Sequence, residues 1–362
     1  MEAIASRMNE LLNELYFYVK VQNVTRAKYI QQQLEEQLVS TPLNEQLVVN
    51  YLVAKYGYAL LNVDFENAKK FLNQIEQSKH LLDDQWCYRF YLFRGLHSII
   101  WNSDFANAQN SFEVAEQRLS SIDDAIEKAE YDYKMAFMYY HLKDPLHSVQ
   151  YITKALDIYR DKSDFRRKCA SCELILGLNS IDMKQYEEAE EQFYKVLDYA
   201  NSVDDKDLKA QVLHNLGLLY AEQNKPAAAI HWLNERLKIE QLNYLTAYLL
   251  SRENFKLGRT KEALSWLNKG IELCQYIDNR EYLMRFHLLK TYYLNVSKEN
   301  FESAYREGIA YFYKEKFWSY VDEYGEQLAH FLRQQEEYEE AAEYYALASE
   351  ARHKIIEMEG LN

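Results

Sequence analysis

One pair of residues, the first small and the second large, recurs along the chain and constrains its fold more than any other feature. The large residue follows the small one by four positions, as in the segments 182-DMKQYEEAEEQFYKVLDYA-200 and 335-QEEYEEAAEYYALASEA-351. The pairs are Ala68/Leu72, Ala108/Phe112, Ser148/Ile152, Ala189/Phe193, Ala229/Leu233, Ala263/Leu267, Ala304/Ile309 (slipped by one position) and Ala341/Tyr345. Successive small residues are 34 to 41 positions apart. Self-similarity at such a period indicates an array of helix pairs.

A second recurring position lies about twelve residues before each small residue, in the middle of another predicted helix. It is occupied by Leu96, Ala136, Gly177, Gly217 or Ser251. Leu-Gly occurs at two of these positions, and Tyr220 follows Gly217 at the spacing of the tetratricopeptide pattern, L-G-x-x-Y and then A-x-x-x-F. Small residues allow paired helices to approach closely, and the large ones fill the adjacent space. The sequence therefore predicts an all-α fold with a right-handed tetratricopeptide solenoid of about seven repeats.

The segment before the repeats reads as three amphipathic helices over residues 1–62. Apolar positions such as Leu11, Leu12 and Leu15 keep a period near 3.6. A second helix is predicted over 24–39, a break at 40-STPLN-44, and a third helix from about Asn44. The predicted organisation is a three-helix bundle at 1–62, a helical connector at 63–85 and a repeat domain at 86–362.

Composition excludes several classes of protein. The net charge of -14 and the lack of a basic stripe argue against nucleic acid as a partner. The first residues lack the features of a signal peptide, and no apolar run is long enough to span a membrane. The four cysteines are too few for a disulfide scaffold, and Cys169-x-x-Cys172 lacks a second ligand pair for zinc. We therefore expect a cytoplasmic protein without a membrane segment.

Polar residues on the first helix of each repeat are candidates for ligand binding, because these helices line the concave face of such a solenoid. Asn179, Asp182 and Asn215 fall on consecutive repeats near the pattern glycines. An amide both donates and accepts hydrogen bonds, which suits the backbone of an extended peptide, and a carboxylate can receive a peptide N–H or a cation. Lys134, His141, Glu222 and Lys256 fall at comparable offsets. The alternative is that each asparagine caps a neighbouring carbonyl or binds water.

Beyond these patterns, the chain resembles the Rap proteins of Bacillus and relatives over nearly its whole length. The closest local matches are 88-YRFYLFRGLHSI-99, 122-IDDAIEKAEYDYKMAFMYYHLK-143, 147-HSVQYITKALDIY-159, 177-GLNSIDMKQYEEAEEQF-193 and 344-YYALASEARHKI-355. The Asp-x-Ile-Glu-Lys-Ala-Glu run is far more specific than a generic repeat match.

The resemblance implies two partners: a response regulator bound through the three-helix bundle, and a short re-imported signalling peptide of five or six residues held in the repeat groove. In such proteins the peptide compacts the array and ends regulator binding, which controls sporulation or competence. Asn179, Asp182 and Asn215 match positions that hold the peptide backbone, and Lys134 and Glu222 are further candidates.

The resemblance also implies a phosphatase active on the regulator's phospho-aspartate. Gln46 matches the catalytic glutamine of the family, which orients a water for in-line attack, as a GTPase glutamine does. Asn44, Glu45 and Tyr51 would contact the regulator, with Glu45 flanking the site. The protein would need no cofactor of its own, since Mg²⁺ is bound by the regulator. Asn44 stands where the family more often has an acid, and 56-YGY-58 replaces its Glu-Phe-Arg-His segment.

Two other functions are compatible with the sequence to different degrees. A non-catalytic protein of the same fold could sequester the DNA-binding domain of a regulator under the same peptide control. A peptide-sensing transcription factor would need a basic helix-turn-helix at its N-terminus, and the acidic, Gln-rich helices there argue against it.

Overall fold

The computed structural model describes residues 2–40, 44–102, 104–294 and 296–358, and every regular element in these ranges is helical. The helices are α1 (Glu2–Lys20), α2 (Val24–Ser40), α3 (Glu45–Leu61), α4 (Phe65–Ser78), α5 (Asp84–Asn102), α6 (Phe105–Leu119), α7 (Ala125–His141), α8 (Pro145–Arg160), α9 (Arg166–Asp182), α10 (Tyr186–Ser202), α11 (Lys206–Glu222), α12 (Pro226–Leu237), α13 (Tyr244–Lys256), α14 (Thr260–Tyr276), α15 (Arg280–Tyr293), α16 (Lys298–Lys314), α17 (Trp318–Gln334) and α18 (Tyr338–Met358). None of them is long and apolar enough to cross a membrane, over the ranges just given. The all-α fold predicted from the sequence is confirmed.

The chain forms two compact units, residues 1–179 and 180–362, and the division between them falls at a position in the sequence of α9. The first unit contains α1 to α8 and most of α9, and the second contains the end of α9 and α10 to α18. The boundaries expected at residues 62 and 85 stay predictions.

The three N-terminal helices begin and end close to their predicted positions. Leu11, Leu12 and Leu15 are fully buried where α1 packs against α2 and α3. α2 ends at Ser40, and residues 41–43 of the expected break lie outside the described residues. α3 begins at Glu45 because Asn44 caps it: the Asn44 side chain accepts a hydrogen bond of 2.8 Å from the Leu47 amide.

From α3 onward, consecutive helices pack as hairpins, and the recurring small residues lie on the second helix of each pair. The packed pairs are α3 with α4, α5 with α6, α7 with α8, α11 with α12, α13 with α14, α15 with α16 and α17 with α18. All eight small residues are buried. A Cβ atom at Gly217 would lie 2.6 Å from Leu233, the large residue of the same hairpin, so only glycine allows this approach. In the hairpin of α5 and α6 the equivalent residue is Gly95, where a Cβ atom would lie 2.5 Å from Phe112. The prediction of Leu96 for this position is therefore wrong by one residue.

Turns between helices use residues other than glycine in the left-handed region. Among the described residues these are Gln22, Val63, Lys143, Lys184, Asp204, Asn224, Asp278, Lys316 and Glu336. A recurring left-handed residue after a helix, usually followed by the cap of the next helix, lets the chain turn sharply although it has only 9 glycines. Val63 is the least suited of them, because a β-branched side chain is strained at its φ of 55°.

We expect Val63→Gly to stabilise the protein by about 1 kcal/mol, since it removes the left-handed strain and gives up little packing at a side chain that is 59% exposed. The measurement is the midpoint of urea-induced unfolding. Val203→Gly is the matched control: Val203 is 52% exposed but has an ordinary φ of -113°, so its replacement should destabilise slightly. Equal effects of the two substitutions would contradict the assignment of strain.

Candidate functional site

The first turn of α3 carries the residues expected at the regulator-binding site. Asn44, Glu45 and Gln46 are all exposed. Because the capping bond of Asn44 fixes the start of the helix, Gln46 projects from an ordered first turn rather than from a loop. Tyr51 is only half-buried and packs against the hydrophobic core of this region. The Lys55 ammonium nitrogen lies 5.4 Å from the centroid of its ring. The structure thus presents Asn44, Glu45 and Gln46 together at the surface and Tyr51 at the edge of the core.

Lys134 does not lie open to solvent as a groove residue would. Its side chain is buried and its ammonium forms an ion pair of 3.1 Å with Glu130, one turn earlier on α7. Lys168 from α9 binds the other oxygen of Glu130 at 2.7 Å, and the Tyr159 hydroxyl donates to the same oxygen at 2.9 Å. The expected exposure of Lys134 is therefore wrong, because the buried carboxylate requires the ammonium as a counter-charge. Its part in peptide binding stays a prediction.

A second buried glutamate connects α1 to α7 within the first unit. Glu127 accepts hydrogen bonds from Lys20 at 2.7 Å and from the Tyr16 hydroxyl at 2.6 Å. Both glutamates belong to the Asp-x-Ile-Glu-Lys-Ala-Glu run that carries the resemblance to Rap proteins. In this chain the two acids of that run therefore neutralise buried lysines from other helices, Lys20 of α1 and Lys168 of α9.

Asn179 is also interior, with no exposed side-chain area. Its amide donates to the Ser148 hydroxyl at 2.8 Å and to the Ile175 carbonyl at 2.9 Å. Ser148 is the small residue of its hairpin, and all seven of the other small residues are alanine. The expectation of an open position for Asn179 is therefore wrong: the amide links α9 to α8. Contact with a peptide backbone stays a prediction for this residue.

The second unit contains the remaining predicted ligand residues. Asp182 is exposed at the end of α9. Asn215 is half-exposed on α11, and its side chain makes no hydrogen bond within the described ranges. Glu222 is exposed at the end of α11 and forms an ion pair of 3.0 Å with Arg252 of α13. Of the proposed amides, Asn215 is the one whose hydrogen-bonding groups are available.

Sequence reasoning missed a cluster of side chains that projects from the first helices of successive hairpins in the second unit. We call it the Arg285 surface. Its members are Tyr248 and Arg252 on α13, Glu281, Tyr282 and Arg285 on α15, and Tyr320 and Glu323 on α17. Tyr320 belongs to the stretch 311-YFYKEKFWSY-320, in which the aromatic excess suggests only packing between helices. The signal that could have found the cluster is the recurrence of Tyr248, Tyr282 and Tyr320 at the spacing of the repeats.

Arg285 is held between three aromatic rings. Its guanidinium carbon lies 4.4 Å from the ring centroids of Tyr248 and Tyr282 and 4.6 Å from that of Tyr320. The guanidinium donates to the Tyr320 hydroxyl at 3.0 Å, and its nearest carboxylate oxygen, on Glu281, is 3.9 Å away. Stacking on three rings restricts the arginine to one orientation.

The carboxylates of the Arg285 surface are reachable by solvent but closely surrounded by protein. Glu323 is exposed and Glu281 half-buried. Burial raises the pKa of both carboxyls above the ordinary value for glutamate, and the nearby Arg285 only partly opposes this. Accessible groups with perturbed pKa values are typical of binding sites. Aromatic and arginine side chains are also the residue types that contribute most to peptide and protein recognition.

Comparison with known proteins identifies the structural class of the repeats. The family model described as "Tetratricopeptide repeat" matches residues 170–241. A crystal structure of a Rap protein complexed with competence and sporulation factor superposes with a TM-score of 0.83, at 23% identity, over 97% of this chain and 99% of that one. The chain is therefore a tetratricopeptide-repeat protein with additional N-terminal helices.

Similarity in sequence identifies the relatives. The regulatory protein RapK of Bacillus subtilis is 26% identical over the full length of both chains. The response regulator aspartate phosphatase I of the same organism is 26% identical over 95% of this chain and 90% of its own length. The resemblance to the Rap family that the sequence indicated is confirmed.

Proposed function

We propose that this protein is a cytoplasmic Rap-like regulator that binds a bacterial response regulator, dephosphorylates its phospho-aspartate, and is inhibited by a short signalling peptide. The observation that carries the proposal is the full-length similarity to proteins named response regulator aspartate phosphatases, combined with the exposed first turn of α3. The likeness in fold to a Rap protein complexed with competence and sporulation factor, and to a Rap conjugation gene regulator in complex with the Phr* peptide, supports a peptide as the second ligand.

Gln46 is suited to the hydrolytic step because its amide can both donate to and accept from one water molecule. The phospho-aspartate and its Mg²⁺ would be supplied by the regulator, so this protein needs only to position the attacking water. Glu45, beside Gln46 in the same turn, would face the regulator surface, and Asn44 would hold the turn in place through its capping bond.

The peptide site that we propose lies on the first helices of the second unit. Asn215 offers an unused amide, and the Arg285 surface offers the exposed Glu323 beside the half-buried Glu281, Tyr282 and Tyr320. Asp182 and Glu222 are exposed and would contribute carboxylates. A peptide in extended conformation exposes backbone N–H and C=O groups, which such amides and carboxylates can satisfy.

A non-catalytic binder is the second candidate, and Asn44 favours it because the catalytic relatives more often carry an acid there. The two functions are separated by one pair of assays on purified response regulators phosphorylated with acetyl phosphate. Accelerated loss of the phosphoryl group supports the phosphatase. Unchanged phosphoryl lifetime together with loss of regulator–DNA complexes in gel shifts supports sequestration instead.

We expect Asn215→Ala to weaken peptide binding about ten-fold, the effect of losing one or two net hydrogen bonds. The probe is a peptide recovered by affinity selection from synthetic pools of randomised pentapeptides and hexapeptides, and the measurement is isothermal titration calorimetry. Asn201→Ala is the control, because Asn201 is exposed on α10, the second helix of its hairpin. Affinity that Asn215→Ala leaves unchanged counts against the peptide clamp.

A further inference from the structure

Asn50 is a buried amide on α3, one helical turn after Gln46. It is only 3% exposed, and Leu47, Val49 and Val53 beside it on the same helix belong to the hydrophobic core. Asparagine is a poor residue for a helix interior, and burying an amide costs free energy unless its polar groups are hydrogen-bonded. The position is therefore expected to be occupied by an amide only because that amide forms specific bonds.

The two hydrogen-bond partners of Asn50 lie on different helices. In the orientation of the amide that satisfies both, its nitrogen donates to the Gln46 carbonyl at 3.3 Å and its oxygen accepts from the Trp86 indole N–H at 3.2 Å. Gln46 lies in the first turn of α3 and Trp86 in the first turn of α5. Trp86 is itself buried, and a buried indole N–H usually has an acceptor of this kind. One side chain thus links the starts of two helices.

Trp86 is held in place by contacts other than Asn50. Its backbone amide donates to the Asp83 carboxylate at 2.8 Å. The Arg89 guanidinium carbon lies 4.4 Å from the centroid of its ring, and the same guanidinium donates to Asn13 of α1 at 2.7 Å. The ring of Tyr16, also on α1, packs edge-on against the indole. The bond from Asn50 therefore attaches the first turn of α3 to a side chain that is already fixed.

Hydrogen bonds hold the first turn of α3 from both sides. Asn44 accepts from the Leu47 amide at 2.8 Å before the turn, and Asn50 binds the Gln46 carbonyl after it. Gln46 is exposed between these two bonds, so the direction of its side chain depends on how the turn is rotated about the helix axis. A group that orients a reacting water must be held to within about 0.5 Å, and a small displacement lowers the rate steeply.

We propose that Asn50 is a positioning residue for the hydrolytic step, which fixes through Trp86 the direction in which the Gln46 amide leaves the helix. The inference rests on the proposed phosphatase function and adds to it a residue that does not touch the phospho-aspartate. Asn50 and Trp86 are both buried, so their bond affects the chemical step and not the affinity for the regulator.

The test uses a response regulator on which the wild-type protein acts, found by screening purified regulators phosphorylated with acetyl phosphate. Loss of the phosphoryl group is measured in single turnovers at saturating protein, together with the affinity of the two proteins. Asn50→Leu removes both hydrogen bonds, and Trp86→Phe removes the indole N–H while keeping an aromatic ring. We expect each substitution to lower the maximal rate about ten-fold and to change the affinity less than about two-fold. The double variant should be no slower than either single variant, because all three break the same link.

Val53→Ala is the matched control, since Val53 is fully buried in the same core on α3 and its truncation lowers stability without breaking the link. Urea unfolding curves compare the stability of all the variants. The positioning role is overturned, and the phosphatase left standing, by unchanged rates in both single variants, by an equal loss of rate in Val53→Ala, or by losses that multiply to about 100-fold in the double variant. If the wild-type protein accelerates phosphoryl loss from no regulator, the proposed function fails and the positioning role with it.

Discussion

Gln46→Ala is expected to slow dephosphorylation of the response regulator by about 100-fold or more, the usual effect of removing a group that positions or activates the attacking water. Affinity for the regulator should change little, because one exposed side chain contributes only a small part of an interface. The measurements are single-turnover loss of phosphoryl label from the regulator and a binding titration of the same two proteins. Loss of rate without loss of binding is the result that assigns Gln46 to the chemistry.

Two further variants test the catalytic assignment of Gln46, one as a second probe of the amide and one as a control. Gln46→Glu keeps the length of the side chain but removes the amide donor, so we expect it to resemble the alanine variant in rate. Gln32→Ala is the control, because Gln32 is an exposed glutamine on α2, away from the first turn of α3. A dephosphorylation rate that Gln46→Ala leaves intact removes the catalytic assignment and favours the sequestering function.

Glu130→Gln is expected to destabilise the protein by about 3–5 kcal/mol, the typical cost of breaking a buried ion pair at one partner. Glu130 is the carboxylate shared by Lys134 and Lys168, all three are buried, and the substitution leaves two ammonium groups without a counter-charge. The measurement is the free energy of unfolding from urea titration at neutral pH. Glu10→Gln, which removes an exposed partner of Arg7 on α1, should change that free energy by less than about 0.5 kcal/mol.

The stabilisation that Glu130 provides through Lys134 and Lys168 should depend on pH. Burial alone would raise the pKa of Glu130, but Lys134 and Lys168 outweigh it and lower the pKa to about 2, from an ordinary value of 4.5. A carboxyl with a lowered pKa in the folded state stabilises the fold above its unfolded pKa and loses that contribution as pH falls through the folded pKa. The difference in stability between wild type and Glu130→Gln should therefore be full above about pH 4.5 and shrink towards pH 2. A difference that stays constant over this range would falsify the ion-pair account.

The helices and their pairing were predictable because each depends on local sequence. Asn44 caps α3 through its own side chain, and the buried stripe of α1 repeats with the period of one helix. The small residues of the hairpins also follow from spacing, since a close approach of two helices excludes large side chains wherever it occurs. Gly95 shows the limit of this reasoning: the spacing alone indicated Leu96, and only the packing against Phe112 identifies the glycine.

The candidate site was predictable in part. Asn44, Glu45 and Gln46 lie at the exposed start of α3 as the sequence indicated, whereas Lys134 and Asn179 are buried. Helical periodicity assigns a residue to one face of a helix, but whether that face is open depends on side chains that are far away in the chain. The Ser148 hydroxyl bound by Asn179 lies 31 residues earlier in the chain, and Lys168 on α9, which shares the Glu130 carboxylate with Lys134, lies 34 residues after Lys134.

By itself, the sequence determined that this protein is all-helical, that its helices pair as tetratricopeptide repeats and that it resembles the Rap family. These properties depend on period, capping and local motifs, which a linear chain displays directly. The tertiary structure alone decided which polar residues are counter-charges of the interior and which remain open to a ligand. It also brought together the three tyrosines and two carboxylates around Arg285, because the distance and burial that set their electrostatics arise only when α13, α15 and α17 pack side by side.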